Sequence, residues 1–430
     1  MGTNIYGLPN EEHFEESIVQ YLTAVHEGAK AYNSESPALA GYRLIDHSAF
    51  DKDLCILPDE LIGFLKDTQP KAYEKLVTES GGEVAANNSI FSRLDSELKR
   101  GTLHVLRDSV FKAGYGVQFK LVYFMPASGL NPEHKRLYEL NRLSVVRQLQ
   151  YSKKNTKEID LAIFVNGLPV ATLELKNTLT GQSHHEAIKQ YMTTREVAGE
   201  KFLEFKRCLV HFAVGTEEVY MTTRLDGEKT RFFPFNKCYQ NRGVESKSGY
   251  RTSYLWEDVL SRDSLLDLLQ NYIAEQTNEE KVYNERTGKL ETKKEEALIF
   301  PRYHQRRAVS KLVEHTKRKG AGHRYLIQHS AGSGKSNTIS WLAFRLASLY
   351  QKMYTGIDKA VFDSVIVVTD KIVLNKQLSN NISQFAQVAG EVEIISENDT
   401  AQALKKAIED RKKIIVTTLQ KFPVIADSIQ

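Results

Sequence analysis

The chain has 430 residues, of which 41% are hydrophobic and 26% charged, an ordinary soluble globular mix long enough for two or three domains with sizeable cores. A net charge of +4 is small for this length, so it allows a nucleic-acid partner without arguing for one. Cys55, Cys208 and Cys238 stand far apart with no Cys-x-x-Cys pair, the N-terminus has no basic region followed by an apolar run, and no stretch approaches the roughly 20 apolar residues of a membrane span, so a disulfide framework, a zinc site, a secretory signal and a membrane segment are not expected and a cytoplasmic location is.

Residues 11–27 open with Glu11, Glu12, Glu15 and Glu16 and put Phe14, Ile18, Tyr21, Leu22 and Val25 on one face. That pattern predicts an amphipathic helix whose acidic first turn complements its dipole. A polar loop is expected at Ser34–Pro37, then helices over 59–79 and 90–113 separated by the spacer Ser80-Gly81-Gly82. From Gly116 the period becomes that of a strand, with Val117, Phe119, Leu121 and Tyr123 alternating. Asn141–Leu149 alternates again and leads into the basic loop Lys153-Lys154-Asn155.

Glu158–Val165 and Leu168–Lys176 flank Asn166-Gly167, which reads as a β-hairpin. It carries Asp160 on one strand and Glu174-Leu175-Lys176 on the other. Glu174 and Lys176 are two apart, so they point to the same face. Two carboxylates on one face hold Mg²⁺, and a lysine beside them orients or deprotonates an attacking water, which is nuclease chemistry. The tripeptide Glu-x-Lys also occurs at Glu97–Lys99, Glu245–Lys247, Glu279–Lys281 and Glu291–Lys293, so only its setting in apolar strands sets this copy apart. The competing reading is a salt-bridged Glu174–Lys176 pair on an exposed sheet face. Register decides between them. A strict two-residue turn sets Asp160 opposite Leu173 and facing away from Glu174. An odd loop such as Val165-Asn166-Gly167 sets Asp160 opposite Thr172 with Glu174 as diagonal neighbour, and that loop or an equivalent bulge is expected.

A helix is expected over Ser183–Arg195, with His184, His185, Gln190 and Tyr191. Adjacent histidines do not share a helix face and carboxylates suit Mg²⁺ better than imidazole does, so a histidine metal site is not favoured. Gln190 is the better candidate for supporting the site or contacting DNA backbone. Strands resume at Arg207–Val214 and Glu218–Thr222. Residues 274–297 are charged and nearly free of apolar side chains, which predicts an interdomain linker, with a long solvated helix as the alternative.

After Phe300, strands and helices alternate, which implies a parallel doubly wound sheet. Arg324–Gln328 is apolar enough for a buried strand, and Asn337–Ala343 has helical spacing. Between them lies His329-Ser330-Ala331-Gly332-Ser333-Gly334-Lys335-Ser336, in the order a phosphate-binding loop requires, except that His329 stands where the general pattern has glycine. Gly332, Ser333 and Gly334 give a backbone cradle, Lys335 reaches the β- and γ-phosphates of ATP, and Ser336 holds its Mg²⁺. Further strands are expected at Ser364–Thr369 and Lys413–Thr417.

Together these pieces resemble the restriction (R) subunit of type I restriction–modification systems. The resemblance implies an α/β chain in which a mixed-sheet PD-(D/E)xK nuclease domain (residues 1–273) is followed by a charged linker (274–297) and an incomplete parallel-sheet RecA-like domain (298–430). It implies Asp160, Glu174 and Lys176 as the nuclease core, Asp160 and Glu174 as Mg²⁺ ligands, and Glu15 as an additional acid. Phe300–Val309 resembles the adenine-recognising segment of superfamily 2 motors, with Gln305 reading the base. Val368–Gln377 and Ile414–Phe422 resemble its DNA-tracking motifs, with Thr369, Thr417 and Thr418 on phosphates. Lys371 stands where the family more often has arginine, and Gln190 is followed directly by Tyr191 with threonine at 194, so a Gln-x-x-x-Tyr pattern is not reproduced.

The implied activity is Mg²⁺-dependent cleavage of double-stranded DNA coupled to ATP-driven translocation, in complex with specificity (S) and methyltransferase (M) subunits. No Asp-Glu-x-His or Asp-Glu-Ala-Asp-like acid box precedes Gln430, and a second motor lobe is not expected within these residues. The expectation is an N-terminal fragment or truncated product that holds ATP without turning it over. Two other readings are a superfamily 2 motor whose N-terminal domain only binds nucleic acid or protein, and a non-enzymatic assembly module.

Overall fold

The computed structural model describes residues 11–24, 41–107, 110–126, 131–177, 181–244, 249–284, 288–352, 358–386 and 390–426; the expected loop at Ser34–Pro37 lies outside them. The chain forms two units, one running to Ile273 without residues 126–131, the other comprising those six residues and 274–430.

The first unit is built on a seven-stranded mixed sheet. Its elements in chain order are α1 (Glu11–Thr23), β1 (Arg43–Ile45), α2 (Pro58–Thr68), α3 (Pro70–Ser80), α4 (Glu83–Glu97), α5 (Thr102–Arg107), β2 (Phe111–Gly114), β3 (Val117–Phe119), α6 (Pro132–Glu139), β4 (Leu143–Gln150), β5 (Glu158–Val165), β6 (Leu168–Lys176), α7 (His184–Lys189), β7 (Val210–Gly215), β8 (Val219–Thr222), β9 (Phe233–Pro234) and α8 (Arg262–Asp267). The sheet order is β1-β4-β5-β6-β7-β8-β9, while β2 and β3 form a separate hairpin. Pairs β1/β4 and β6/β7 are parallel and the others antiparallel. The central strands β5 and β6 are covered on both faces, which is why they read as nearly unbroken apolar runs.

Several boundaries differ from the sequence reading. The helix expected over 59–79 is two helices that meet at Gln69-Pro70. Proline supplies no N–H and pushes its predecessor out of helical space, and Gln69 has φ −140°. The helix expected over 90–113 begins at Glu83, ends in a 3₁₀ turn at Arg100, breaks at Gly101 (φ +112°) and resumes as the short α5, with residues 111–114 in a strand. Gly81 closes α3 in the left-handed conformation, as its place in the spacer implied. Ser183 caps α7 in a reciprocal arrangement with Glu186, and the helix continues as a π turn over Gln190–Thr194.

The β5–β6 turn is the constraint that aims the site. It has two residues, Asn166 (φ +50°) and Gly167 (φ +80°), both left-handed as this tight turn demands. Asn166 is buried and donates to the Leu121 carbonyl (2.8 Å) and Asn141 Oδ1 (2.9 Å), while its own Oδ1 accepts from the Arg142 N–H (2.6 Å). Val165 pairs with Leu168 and Phe164 with Pro169, but Ile163 pairs with Ala171, so Val170 is an extra residue in β6. Pro169 has no N–H to give the ladder, which is where such a slip costs least. Of the odd loop or equivalent bulge expected, the structure has a bulge, and it shifts the register in the opposite sense to the odd loop: continuing the ladder sets Asp160 directly across from Glu174.

The second unit opens where a linker was expected. Residues Ala274–Asn284 and Lys289–Ile299 instead pair in register as a long antiparallel ribbon, β10 and β11. It is followed by α9 (Tyr303–Lys319), α10 (Lys335–Ala347), β12 (Tyr350–Lys352), β13 (Asp358–Ala360), β14 (Val365–Thr369), α11 (Ile372–Phe385), β15 (Val392–Ile394), α12 (Ala401–Glu409), β16 (Ile414–Thr418) and α13 (Phe422–Ala426). A three-stranded parallel sheet has the order β14-β16-β15. The strand expected at Arg324–Gln328 joins no ladder among the described residues, and Leu326 within it is 96% exposed. No helix among the described residues is long and apolar enough to cross a membrane.

A Cβ on Gly167 would lie 2.4 Å from the Leu57 carbonyl oxygen, at a φ that non-glycine residues avoid. Gly167→Ala is expected to destabilise the first unit by about 2 kcal/mol or more. Trp256 belongs to this unit and Trp341 to the other, so a urea melt followed by fluorescence in a Trp341→Phe background reads the loss.

Candidate functional site

The bulge brings Asp160, Glu174 and Lys176 to one face of the sheet. Asp160 and Glu174 are both buried, and Asp160 Oδ2 accepts the Leu175 N–H at 2.6 Å. Glu174 is gripped from the end of the π turn by Arg195, whose Nε and Nη2 donate to its two oxygens at 2.7 and 3.2 Å. Lys176 Nζ donates to Glu11 Oε1 (2.6 Å) and the Leu175 carbonyl (2.8 Å). Burial is the main cause of high carboxyl pKa values here: it pushes Asp160 up to about 6, against the Leu175 N–H and Lys176, and with Asp160 beside it pushes Glu174 up to about 8, against Arg195.

Glu15, expected as a further acid, is buried beside these groups with both oxygens engaged by Arg147 Nε and Gln148 Nε2, each at 2.6 Å. The β4–β5 ladder pairs Arg147 with Leu161 and Leu149 with Ile159, leaving Gln148 across from Asp160 with φ +45°. A left-handed glutamine inside a central strand is strained, and Glu15 is what holds it. Gln190 lies in the π turn; its Oε1 is buried without a partner, while the neighbouring Tyr191 is fully buried with its hydroxyl 2.8 Å from Thr172 Oγ1. That threonine also meets His211 Nδ1 (2.7 Å), a ring that burial holds down at about 3 and hence uncharged. Adjacent carboxylates are hard oxygen donors suited to a divalent cation, although among the described residues no cluster of three acidic, histidine or cysteine side chains is drawn together as ligands. Arg195 now supplies the positive charge that the pair requires.

In the second unit, Gly332 (φ +72°) and Gly334 (φ +81°) shape the phosphate loop, and Lys335 and Ser336 are exposed at the start of α10. Lys335 Nζ folds back onto the carbonyls of His329 (3.3 Å) and Ser330 (3.1 Å), and Ser333 Oγ donates to the Ser330 carbonyl (2.7 Å). Gln305 is buried and committed to this loop: its Nε2 donates to the Gly334 carbonyl (2.9 Å) while its Oε1 accepts from the Arg302 N–H (2.9 Å). The ring of His329 packs edge-on against His304, with centroids 5.4 Å apart. Thr417 and Thr418 are both buried in the central strand β16, and the Thr417 hydroxyl has no partner, so neither presents a hydroxyl to DNA here, contrary to expectation. Thr369 stays partly open at the end of β14, with its hydroxyl 3.4 Å from Asn375 Oδ1.

Residues 65–230 match the family model described as type I restriction enzyme R protein N terminus, and residues 304–429 match SWI2/SNF2 ATPase. The chain is 25% identical over 384 residues to the type I MjaVIIIP endonuclease subunit of Methanocaldococcus jannaschii, covering 88% of this chain and 32% of that protein. It is 25% identical over 298 residues to the type I restriction enzyme HindI endonuclease subunit of Haemophilus influenzae, covering 66% and 25%. The two family models and these relatives agree: the chain is similar to type I restriction enzyme R proteins. It spans about a third or less of the length of the relatives it matches. The first matched span contains Asp160, Glu174, Lys176, Gln190 and Arg195, and the second contains Gln305 and the glycine loop at 329–336. Helix α1, which brings Glu11 and Glu15, lies before both.

Sequence reasoning missed Arg195, Glu11, Arg147 and Gln148. One signal was available for Arg195: a glutamate inside a fully apolar strand needs a cation, and Arg195 closes the stretch already read as the covering helix.

Burial holds the Asp160 carboxyl at about 6, above its ordinary 3.8, so that burial costs stability progressively as pH rises through that interval, and the cost persists above it. Asp160→Asn removes the cost. The variant is expected to match the native chain near pH 4 and to exceed it by up to about 3 kcal/mol at pH 7, as read by denaturant melts at the two pH values.

Proposed function

We propose that the first unit is a Mg²⁺-dependent DNA endonuclease centre of the PD-(D/E)xK type, with Asp160, Glu174 and Lys176 as its core. The observation that carries this reading is the bulged register, which sets two buried carboxylates opposite each other with a lysine two residues along the same face. Asp160, Glu174 and the Leu175 carbonyl would hold the ion, which when bound would polarise the phosphodiester and acidify an attacking water. Lys176, fixed by Glu11 and by the Leu175 carbonyl, orients that water and stabilises charge on the phosphate oxygens. Glu15 keeps Gln148 and Arg147 against Asp160, and Gln190 supports the covering turn. The second unit is proposed to bind ATP as part of a RecA-like motor lobe, with Gly332, Ser333, Gly334 and Lys335 on its phosphates and Ser336 on its Mg²⁺. For Gln305 to read the adenine it must first release Gly334. In the longer protein these parts would cleave double-stranded DNA in the cytoplasm after ATP-driven translocation, with S and M subunits supplying site recognition; residues 1–273 and 298–430 are the proposed domains, and Thr369 is a proposed phosphate contact.

A second reading has its own observation. The Arg195–Glu174 pair is what a purely structural buried ion pair looks like, and it would suit a superfamily 2 motor with a non-catalytic N-terminal domain. Nicking of circular duplex DNA with Mn²⁺ separates the two. Asp160→Ala and Lys176→Ala are expected to lower the rate roughly 10²- to 10⁴-fold without changing binding of a fluorescent ATP analogue. Lys335→Ala is expected to do the reverse. Unchanged nicking by both nuclease variants would remove the first reading in favour of the second.

A further inference from the structure

Three rings stand in a ladder on the face that carries the carboxylates. His184 lies nearly parallel to Tyr220 of β8, with centroids 4.5 Å apart and planes 10° apart, and His185 follows at 4.1 Å and 39°. The strand registers fix where this ladder is. Glu174 lies beside Ala213 of β7, and Ala213 lies opposite Tyr220, so Tyr220 shares the row and the face of Glu174. Two strand spacings separate them, about 10 Å. Gly215, the neighbour of Lys176, forms the floor: a Cβ there would sit 3.1 Å from the His184 backbone nitrogen, so the absence of a side chain lets α7 lie close on the sheet.

The ladder is poorly explained as packing alone. His184 is 7% exposed and its Nε2 has no partner, an arrangement that costs stability. Burial keeps that imidazole uncharged, well below its usual range at about 4. His185 is exposed and gains little from burial, yet its ring is held by the two behind it. Lys189, one turn further along α7 on the same helix face, is also exposed. An open ring backed by uncharged rings, with an ammonium group a turn away, offers one surface for a nucleobase and one for a phosphate.

We propose that His185, backed by His184 and Tyr220 and flanked by Lys189, is a stacking subsite for an unpaired base of the DNA strand next to the nucleotide at Asp160 and Glu174. The inference rests on the reading of Asp160, Glu174 and Lys176 as the cleavage centre. A base still stacked in a duplex cannot meet the ring, so the subsite selects DNA with an unpaired nucleotide. It thereby gives the first unit a substrate preference of its own.

The test is binding of the chain, in EDTA, to a duplex with a single-nucleotide gap whose unpaired opposing base is 2-aminopurine, to the same gapped duplex with an abasic residue at that position, and to the intact duplex. The native chain is expected to quench the 2-aminopurine and to prefer the gapped DNA. His185→Ala is expected to abolish the quenching and weaken gapped-DNA binding roughly five- to ten-fold, with intact-duplex binding unchanged and His185→Phe restoring both losses. Lys189→Ala is expected to lower the salt slope of binding by about one. Equal binding of gapped, abasic-gap and intact DNA by the native chain, or an unaltered His185→Ala, overturns the subsite. A parallel nicking assay separates the premises: loss of cleavage in Lys176→Ala with unaltered His185→Ala removes only the subsite, whereas normal cleavage in Lys176→Ala removes the nuclease reading beneath it.

Discussion

Val170 has no partner across the β5–β6 ladder, and that one unpaired residue turns Asp160 to the face that carries Glu174. Without it, the two-residue turn at Asn166-Gly167 would send the carboxylates to opposite sides of the sheet, because a one-residue slip reverses every side chain. The turn is itself pinned by the Asn166 side chain and by the Leu57 N–H on the Gly167 carbonyl, so the bulge is the only place where the mismatch is taken up. Arg195, α7 and the ring ladder all act on a face that this register defines.

Burial makes that face costly. Two carboxylates stand side by side with little water, and each finds a different remedy: Glu174 takes the Arg195 guanidinium, Asp160 a backbone N–H. A second tier of charge surrounds them, with Lys176 on Glu11 and Arg147 shared between Glu15 and Glu16. Such ion pairs contribute little net stability against well-packed apolar residues, so stability does not account for their presence at the centre of a sheet. The left-handed Gln148 beside Asp160 is a second cost of the same kind.

The second unit treats its phosphate loop differently. Its functional groups are exposed or turned inward on themselves: Lys335 satisfies loop carbonyls, and Gln305 bridges α9 to Gly334. These contacts tie α9 and the lysine to the loop's own backbone.

The strand-turn-strand at 158–176, the helix beginning near Ser183 and the glycine loop before Lys335 were legible because each depends on local rules: alternation, helical spacing and left-handed backbone. The ribbon at 274–299 was not, since its strands are charged and only their mutual pairing makes them strands. Tyr283 and Leu290 face each other across it while largely exposed, so no hydrophobic face announced it. The buried Thr417 and Thr418 were misplaced for a related reason, because a motif match does not say which strand lies at the centre of a sheet. The sequence by itself determined that acids and a lysine would share a hairpin, since residue spacing and turn chemistry are local. Only the tertiary structure decided the sense of the bulge, the Arg195 clamp and the row joining Glu174 to Tyr220, because each depends on contacts between segments far apart in the chain.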